Sequence, residues 1–359
     1  MNQDFWKDKK VFLTGHTGFK GGWISLWLNM MGARVKGYAL EPPIKNNLFD
    51  ISNIGDITDS EINDIREYET LHKSFEQFNP EIVFHMAAQP LVRESYRDPV
   101  KTYSINVMGT VNLFEAVREC KSVKTVINAT TDKCYESREW MWGYRENDSM
   151  GGNDPCSSSK GCAELITNAY LRSYFDTDNY KEHGVSLASA RSGNVIGGGD
   201  WAEGSLVPDC MRSLAENKPI VISFPDAVHP WQHIADLLYG YFLLTQRLYQ
   251  DGSEFASGWN FGPNYEETKP VRWVVEQLTE MWGYRDSWVA EQGNKPYEAD
   301  FLKLDCSKAK SILGWYPQCG LNVSLKKTVE WYKALRDQQN MLNFTIEQIR
   351  SYGRCIDNG

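Results

Sequence analysis

Short apolar runs alternate with helical segments along the first half of the chain, and this alternation most limits its possible folds. The run Lys10–Thr14 stops at a glycine, apolar residues then recur at helical spacing up to residue 31, and an extended run resumes at 34–40. Further strands are expected near 62–65, 82–86, 125–129 and 185–190, and helices near 68–78, 99–120 and 157–175. Strands separated by helices pair in parallel, so the sequence predicts an α/β fold with a doubly wound parallel sheet.

A glycine-rich turn joins the first strand to the first helix. Gly15, Gly18 and Gly21 form a G-x-x-G-x-x-G pattern. Glycine permits positive φ and lets the backbone approach a pyrophosphate, whose charge suits a helix N-terminus. An ordinary turn is the alternative, but the position at the start of a strand–helix–strand unit favours dinucleotide binding. The predicted contacts in this loop are Gly15, Thr17, Gly18, Phe19, Lys20 and Gly21.

The residues after the next two strands bear on the choice of dinucleotide. Glu41 follows the second strand, where no arginine is available for a 2′-phosphate, and this favours NAD over NADP. After the third strand, Asp64 and Ile65 are expected to contact the adenine, the carboxylate at its amino group and the isoleucine at its ring. Alternatively, Asp64 caps the helix that follows.

The texture of the sequence changes after Arg191, where loops and short elements rich in Gly, Pro and Trp begin. At about 150 residues per domain, 359 residues suggest about two domains. We therefore expect a dinucleotide-binding domain over 1–190 and a smaller α/β substrate-binding lobe over 191–359. A strand–helix unit around 234–249 is expected to return to the main sheet, within a segment spanning 234–262.

Composition excludes several classes of protein. The chain has 38 Lys and Arg against 47 Asp and Glu, a net charge of −9, and is 42% hydrophobic, which argues against disorder and against nonspecific nucleic-acid binding. The eight cysteines form no C-x-x-C pair and no histidine lies at metal-ligand spacing, so we expect reduced thiols and no metal. There is no signal-peptide pattern and no membrane-spanning run, which predicts a cytoplasmic protein. The 13 Trp and 18 Tyr are unusually many.

Several later motifs carry a family resemblance over nearly the whole chain. They are His85-Met86-Ala87-Ala88-Gln89, Thr130-Thr131-Asp132-Lys133, Ser157-Ser158-Ser159-Lys160-Gly161, Arg191-Ser192-Gly193-Asn194-Val195-Ile196-Gly197, and two C-terminal motifs at 304–309 and 313–317. With the glycine loop, they resemble the extended short-chain dehydrogenase/reductase family. The resemblance implies a Rossmann fold that binds NAD, with Ala87, Ala88 and Gln89 beside the cofactor.

Within that family the sequence is similar to the nucleotide-sugar 4,6-dehydratases, and most to the branch that acts on CDP-glucose. That branch carries Thr-Asp-Lys where other dehydratases carry Thr-Asp-Glu, and Thr131-Asp132-Lys133 has the same form. The aromatic block at 138–147, the motif at 197–201 and the motif at 230–233 are also similar to this branch.

This resemblance implies a reaction of bacterial deoxysugar and O-antigen synthesis. The hexose is oxidised at C4 by NAD, water is lost across C5 and C6, and the hydride returns to C6. The implied roles are a hydrogen bond from Thr131 to the C4 oxygen, proton donation by Asp132 to the C6 hydroxyl, and proton removal from C5 by Lys133. Burial would favour the neutral form of both Asp132 and Lys133. A solvated turn pair is the alternative.

The chain departs from the family at residue 156. The family pairs a tyrosine, which takes the proton of the C4 hydroxyl, with a lysine four residues later that holds the nicotinamide ribose. Lys160 is present here, but Cys156 stands at the tyrosine position. Three interpretations stay open: a Cys156 thiolate activated by Lys160, a substitute base such as Tyr135 or Tyr96, or an impaired enzyme. Cys156 could also be an inert buried residue.

The second lobe supplies the expected substrate contacts. By resemblance, Asn194 marks the diphosphate site, and Asp200, Trp201 and His229 lie near the nucleotide, with histidine where the branch has arginine. Trp231 either stacks on the base or packs in the core, and His233 is expected to be structural. A homodimer or homotetramer is the expected assembly. A nucleotide-sugar epimerase or C4 oxidase is the alternative enzyme, although neither needs an elimination pair at 132–133.

Overall fold

The fold is taken from a computed structural model that describes residues 2–42, 44, 46–138, 140–284, 288–291 and 303–357. Glu139, within the aromatic block, lies outside the described residues. The strands are β1 (Lys10–Thr14), β2 (Arg34–Ala39), β3 (Asp59–Ile62), β4 (Ile82–His85), β5 (Thr125–Ala129), β6 (Ser186–Ser192), β7 (Asn194–Ile196), β8 (Ile220–Ile222), β9 (Val228–His229), β10 (Trp231–His233), β11 (Gly258–Phe261), β12 (Lys269–Pro270) and β13 (Trp288–Ala290).

Helices flank these strands along the whole chain. They are α1 (Phe19–Met30), α2 (Leu48–Ile51), α3 (Ile54–Ile57), α4 (Tyr68–Phe78), α5 (Val92–Arg97), α6 (Pro99–Tyr103), α7 (Gly109–Glu119), α8 (Pro155–Ser173), α9 (Tyr180–His183), α10 (Leu206–Ala215), α11 (Ile234–Asp251), α12 (Val271–Trp282), α13 (Ser307–Leu313), α14 (Leu321–Arg336) and α15 (Met341–Asp357). Over the described ranges, no helix combines the length and the apolar character needed to cross a bilayer.

One parallel sheet organises the molecule and confirms the predicted fold class. Within the described residues its order is β11-β6-β5-β4-β1-β2-β3, which is the doubly wound Rossmann order with one strand added at the β6 edge. Both faces are covered, since Val11 and Leu13 of β1 belong to one apolar core and Phe12, between them, belongs to the other. The strand order runs from β1 to β3 on one side of the sheet and from β4 to β11 on the other, so the topology switches between β1 and β4. Folds of this kind bind ligands at the carboxyl ends of the strands beside that switch point.

Three elements differ from expectation for physical reasons. The third strand is Asp59–Ile62 rather than 62–65, because it is a short polar edge strand without an apolar run to mark it. The helix expected over 99–120 is α6 and α7 separated by a π-helical turn, Ser104–Met108. The strand expected in 234–249 was wrong, since α11 occupies that segment and the strand that joins the sheet is β11.

Candidate active site

Two of the three glycines in the loop pack tightly against neighbouring backbone atoms, and the third has free space beside it. Gly15 has φ +74°, and a Cβ there would lie 2.7 Å from the amide nitrogen of Ala87. A Cβ at Gly21 would lie 2.1 Å from the carbonyl oxygen of Gly15. At Gly18, the N-cap of α1, the nearest atom would be 3.4 Å away, so this position leaves room beside the first turn of the helix. The free amides at that end of α1 are directed at whatever binds there.

Buried polar groups fix the backbone that faces this loop. The Thr14 hydroxyl accepts hydrogen bonds from the amides of Met86 (3.0 Å) and Ala87 (3.1 Å) and bonds Nδ1 of His85 at 2.8 Å. Burial, with a smaller effect of Lys160, lowers the pKa of His85 to about 3, so the imidazole is neutral. The structure thus brings Ala87 onto Gly15, two predicted cofactor residues far apart in the sequence. The Thr17 hydroxyl donates to the carbonyl oxygen of Leu40 at 2.9 Å.

Asp64 has a protein partner. The Arg66 guanidinium binds both of its carboxylate oxygens, with a closest distance of 2.6 Å, and these bonds lower the pKa of Asp64. The alternative that Asp64 caps the next helix is wrong, because α4 begins at Tyr68 with Glu67 at its N-cap. Ile65 is buried against Gly109. A contact of Asp64 and Ile65 with adenine stays a prediction.

The turn after β5 carries a buried carboxyl group. Asp132 is only 2% exposed, and the Thr131 hydroxyl donates to its Oδ1 at 3.0 Å. Gly193 faces the other oxygen, since a Cβ there would lie 3.0 Å from Oδ2. Burial raises the pKa of Asp132, against the opposing effects of Lys133, Thr131 and more distant cations. Burial therefore favours the protonated form of this carboxyl group.

The first turn of α8 presents Cys156 and Lys160 on one face, as their i,i+4 spacing requires. The Lys160 ammonium donates to the carbonyl of Ala129 at 3.3 Å, and burial lowers its pKa. The Cys156 thiol is 8% exposed and lies 3.8 Å from the carbonyl oxygen of Gln89. Burial raises the pKa of this thiol despite the nearby Lys160, so the neutral thiol is favoured and the thiolate interpretation loses support.

Of the two tyrosines suggested as substitute bases, Tyr135 has its hydroxyl occupied by protein partners, and Tyr96 stays a candidate. The Tyr135 hydroxyl is buried, donates to Asn260 at 2.7 Å and accepts from Arg191 at 2.7 Å, and burial raises its pKa. Removing its proton would therefore be unfavourable. Tyr96 lies on α5 and is 50% exposed.

Sequence reasoning missed a polar network behind Cys156. Asn106, in the π-helical turn, donates to the Ser159 hydroxyl at 2.8 Å and to the Gln89 carbonyl at 3.0 Å, and accepts from the Gln89 amide at 2.8 Å. It thereby joins α8 to the loop after β4. A π-helical turn often marks a functional position. The available signal was an asparagine on the apolar face of an otherwise regular helical pattern.

The predicted substrate residues fall into two groups. Asn194 and Trp231 are register partners in the short β7–β10 pair, and the Trp231 ring meets His229 edge-to-face at 6.0 Å. Asp200 and Trp201 form the second group: Asp200 accepts from the Ala202 amide and burial raises its pKa to about 6.

The second group contains a buried donor without an acceptor. The Trp201 indole packs edge-to-face on Tyr332 at 5.1 Å, and its N–H reaches no acceptor within the described part of the chain. Such a donor is expected where a ligand supplies the acceptor. His233 caps α11 through the Ala235 amide, its Nε2 has no partner among the described residues, and burial lowers its pKa to about 3.

The aromatic block packs beside the turn after β5. Tyr144 stacks on Tyr135 with ring centroids 5.2 Å apart, and Trp140 lies 5.5 Å from Tyr144. Trp142, at the tip, is 65% exposed. No group of His, Cys, Asp and Glu side chains suited to a metal occurs among the described residues.

Known proteins resemble this chain in sequence and in fold. A family model described as GDP-mannose 4,6 dehydratase matches residues 12–328. The chain is 52% identical over 352 residues, 98% of both chains, to the CDP-glucose 4,6-dehydratase of Salmonella typhimurium. It is 24% identical over 289 residues, 75% of this chain and 81% of the relative, to the dTDP-glucose 4,6-dehydratase of Haemophilus influenzae.

Solved structures share the fold at low identity. The UDP-glucose 4-epimerase of Thermotoga maritima with UDP-glucose superposes with a TM-score of 0.79 at 23% identity, covering 91% of this chain and 99% of its own. The dTDP-glucose 4,6-dehydratase of Bacillus anthracis in complex with NAD superposes with a TM-score of 0.74 at 22% identity, covering 93% and 99%.

Proposed function

The chain belongs to the GDP-mannose 4,6 dehydratase family, and from that membership we propose that it is an NAD-dependent nucleotide-sugar 4,6-dehydratase, a hydro-lyase that converts CDP-glucose to CDP-4-keto-6-deoxyglucose. The choice of CDP-glucose is supported by the Salmonella relative and by Lys133, which gives the Thr-Asp-Lys form of the motif. The product belongs to bacterial deoxysugar and O-antigen synthesis.

The observation that carries the proposal is the buried carboxyl group of Asp132. Loss of water from C5 and C6 needs a proton donor at the departing hydroxyl, and burial, which raises the pKa of Asp132, shifts this carboxyl group toward its protonated form. Lys133, the next residue, acts as the base at C5. The Thr131 hydroxyl donates to Asp132 in this structure, and in the proposed complex it donates to the C4 oxygen instead.

The loop residues fit a dinucleotide. Gly15 and Gly21 leave no space for side chains, whereas Gly18 leaves the room that a pyrophosphate needs beside the amides of α1. When bound, NAD supplies the acceptor for the C4 hydride and the donor that returns it to C6. Lys160 holds the ribose and orients it against α8, and Asn106 keeps the loop at Gln89 in place.

Cys156 supports a second candidate function, that of an impaired relative that binds NAD and the nucleotide sugar without rapid turnover. The raised pKa of the thiol leaves position 156 without a ready base for the C4 hydroxyl. The glycine loop and the residues at 194–201 belong to other elements than Cys156, so binding and turnover are separable.

We place the protein in the cytoplasm as a homodimer or homotetramer. Support for self-association comes from exposed apolar side chains on the helical layer that contains the π-helical turn and α8, where Met108 is 51% and Leu165 is 59% exposed. Size-exclusion chromatography with light scattering tests the oligomeric state.

The test of function is incubation of the purified protein with CDP-glucose, with the nucleotide sugar followed by mass spectrometry. A dehydratase gives a product lighter by one water that absorbs in alkali. An unchanged mass with an inverted centre indicates an epimerase, and a mass lower by two hydrogens indicates a C4 oxidase. Tight binding of CDP-glucose without any product supports the impaired relative.

A further inference from the structure

Lys20, assigned from sequence to the cofactor loop, reaches away from that loop. Its ammonium donates to the hydroxyl of Ser192, the last residue of β6, at 3.1 Å. The same face of α1 makes two further contacts there: Trp23 donates to the Gly198 carbonyl at 2.9 Å, and a Cβ at Gly197 would lie 3.2 Å from the Phe19 ring. This face of α1 therefore packs against the 192–200 segment, which carries Asn194 and Asp200.

The charges around Lys20 do not neutralise it by direct contact. Asp132, from the turn after β5, and Asp200, from the loop after β7, attract its ammonium, while Lys160 on α8 repels it. None of the described ion pairs within 4 Å includes Lys20, and the Ser192 hydroxyl is the acceptor that it reaches. An ammonium has three N–H donors, and burying it without anionic partners is costly. Burial lowers the pKa of Lys20 to about 8.

A bound diphosphate would supply the missing acceptors. Two diphosphates meet near α1 if the proposed function holds, that of NAD and that of the nucleotide sugar. The backbone amides beside Gly18 serve the first without any side chain. The Lys20 ammonium lies on the side of Ser192, Gly193 and Asn194, and Gly193 also touches the Asp132 carboxyl group.

Resting on that proposed function, we propose that Lys20 binds the diphosphate of the nucleotide sugar, on the hexose side, and not the pyrophosphate of NAD. The contact fixes the hexose between α1 and the 192–200 segment, beside Asp132. Lys20 is in this sense a substrate-binding residue contributed by the cofactor helix.

The test compares Lys20→Met, which keeps the length of the side chain without its charge, with Lys20→Arg and with Lys101→Met on the exposed part of α6. Each protein, with its NAD, is titrated by calorimetry with CDP-glucose, CDP and cytidine. We expect Lys20→Met to lower the affinity for CDP-glucose and for CDP about tenfold or more. Cytidine affinity and NAD content are expected to stay as in the wild type, and Lys20→Arg and Lys101→Met to bind all three ligands nearly as well.

A pH series adds a readout that a structural role would not move. Between about pH 7 and about pH 9 the wild-type affinity for CDP is expected to fall as the Lys20 ammonium loses its proton, since its pKa is about 8. Lys20→Arg keeps its charge and is expected to show no such fall.

Several results would overturn the proposal. They are an unchanged CDP affinity in Lys20→Met, an equal loss for cytidine and CDP, or a loss of NAD with CDP affinity retained, which would assign Lys20 to the cofactor. If wild-type protein does not bind CDP-glucose but binds another nucleoside diphosphate glucose, only the choice of substrate is wrong. The Lys20 variants are then titrated with that ligand. If wild-type protein binds none of them, both proposals fail.

Discussion

At position 156 the side chain is a buried thiol, four residues before Lys160 on the same face of α8. Because its pKa is raised by burial, this thiol is a poor acceptor for the C4 proton. We expect Cys156→Tyr, which restores a phenol beside the Lys160 ammonium, to raise turnover of CDP-glucose by ~10²–10⁴-fold, the usual contribution of a positioned base. Initial rates of water loss, measured by mass spectrometry, check this expectation.

Cys156→Phe is the matched control, because it adds the same ring without the hydroxyl. If both variants gain equally, filling the space at 156 matters and proton transfer does not. If Cys156→Tyr retains NAD and binds CDP-glucose but gains nothing, the wild-type residue does not limit turnover, and the impaired-relative candidate is left with another cause to find.

Single residues could be placed from the sequence only where a motif fixes their surroundings. The pair Asp132–Lys133 follows a strand, so its position at the carboxyl edge of the sheet was predictable. The partner of Asp64 was not predictable, because the pairing with Arg66 depends on side-chain conformation. Lys20 was assigned to the cofactor because it lies inside the glycine motif, although its side chain leaves that loop.

At the scale of elements, the strand–loop–helix unit around the glycine turn was the most predictable part of the site. The three glycines are needed for different physical reasons. A side chain at Gly15 or Gly21 would clash inside the protein, whereas Gly18 leaves an open face beside α1. By contrast, the π-helical turn that holds Asn106 could not be predicted, because its segment, Ser104–Met108, contains no glycine or proline to mark an interruption of the helix.

These different reasons predict different outcomes for alanine substitutions in the loop. Gly18→Ala is expected to fold with a normal urea midpoint, since its Cβ makes only ordinary contact at 3.4 Å. Its affinity for NAD is expected to fall ~10-fold or more, because the added methyl group meets the pyrophosphate. Gly21→Ala, with a Cβ 2.1 Å from the Gly15 carbonyl oxygen, is expected to lose both NAD and stability. Urea unfolding of NAD-free protein and NAD content after denaturation measure the two effects.

Gly353→Ala on α15 is the control for this series. A Cβ there would meet no atom within 4 Å, and alanine is favoured over glycine in a helix, so a small gain in stability of ~0.5–1 kcal/mol is expected. Full NAD retention by Gly18→Ala would show that this loop does not cradle the pyrophosphate.

At the scale of the whole molecule, long-range polar contacts connect the sheet to the later segments. Arg191 at the end of β6 forms a buried ion pair with Glu164 of α8 at 2.7 Å and donates to Tyr135, whose hydroxyl donates to Asn260 of β11. The sequence predicted the parallel sheet from its alternation but not these contacts, because partners far apart in the chain leave no periodic signal. The division at residues 190 and 191 stays a proposal, since β11 returns to the main sheet.

A second long-range contact anchors the C-terminal helix and can be tested directly. The buried Tyr352 hydroxyl of α15 donates to Asp236 of α11 at 2.7 Å, and burial raises the pKa of Asp236 to about 6. A folded-state pKa above the unfolded value means that this carboxyl group contributes most stability below about pH 4 and that the contribution is lost as pH rises through about 6. The Tyr352 hydrogen bond limits that loss, because it stabilises the ionised carboxylate.

Tyr352→Phe should therefore cost more stability where Asp236 is ionised. We expect a loss of ~1.5–3 kcal/mol at about pH 8, where the donor to a charged group is removed, and ~0.5–1.5 kcal/mol at about pH 5, where the carboxyl group is largely protonated. Urea unfolding at both pH values measures these losses, with Tyr316→Phe on the exposed surface as a control expected to change little. Equal losses at the two pH values would show that the Tyr352 hydrogen bond does not favour the ionised form of Asp236.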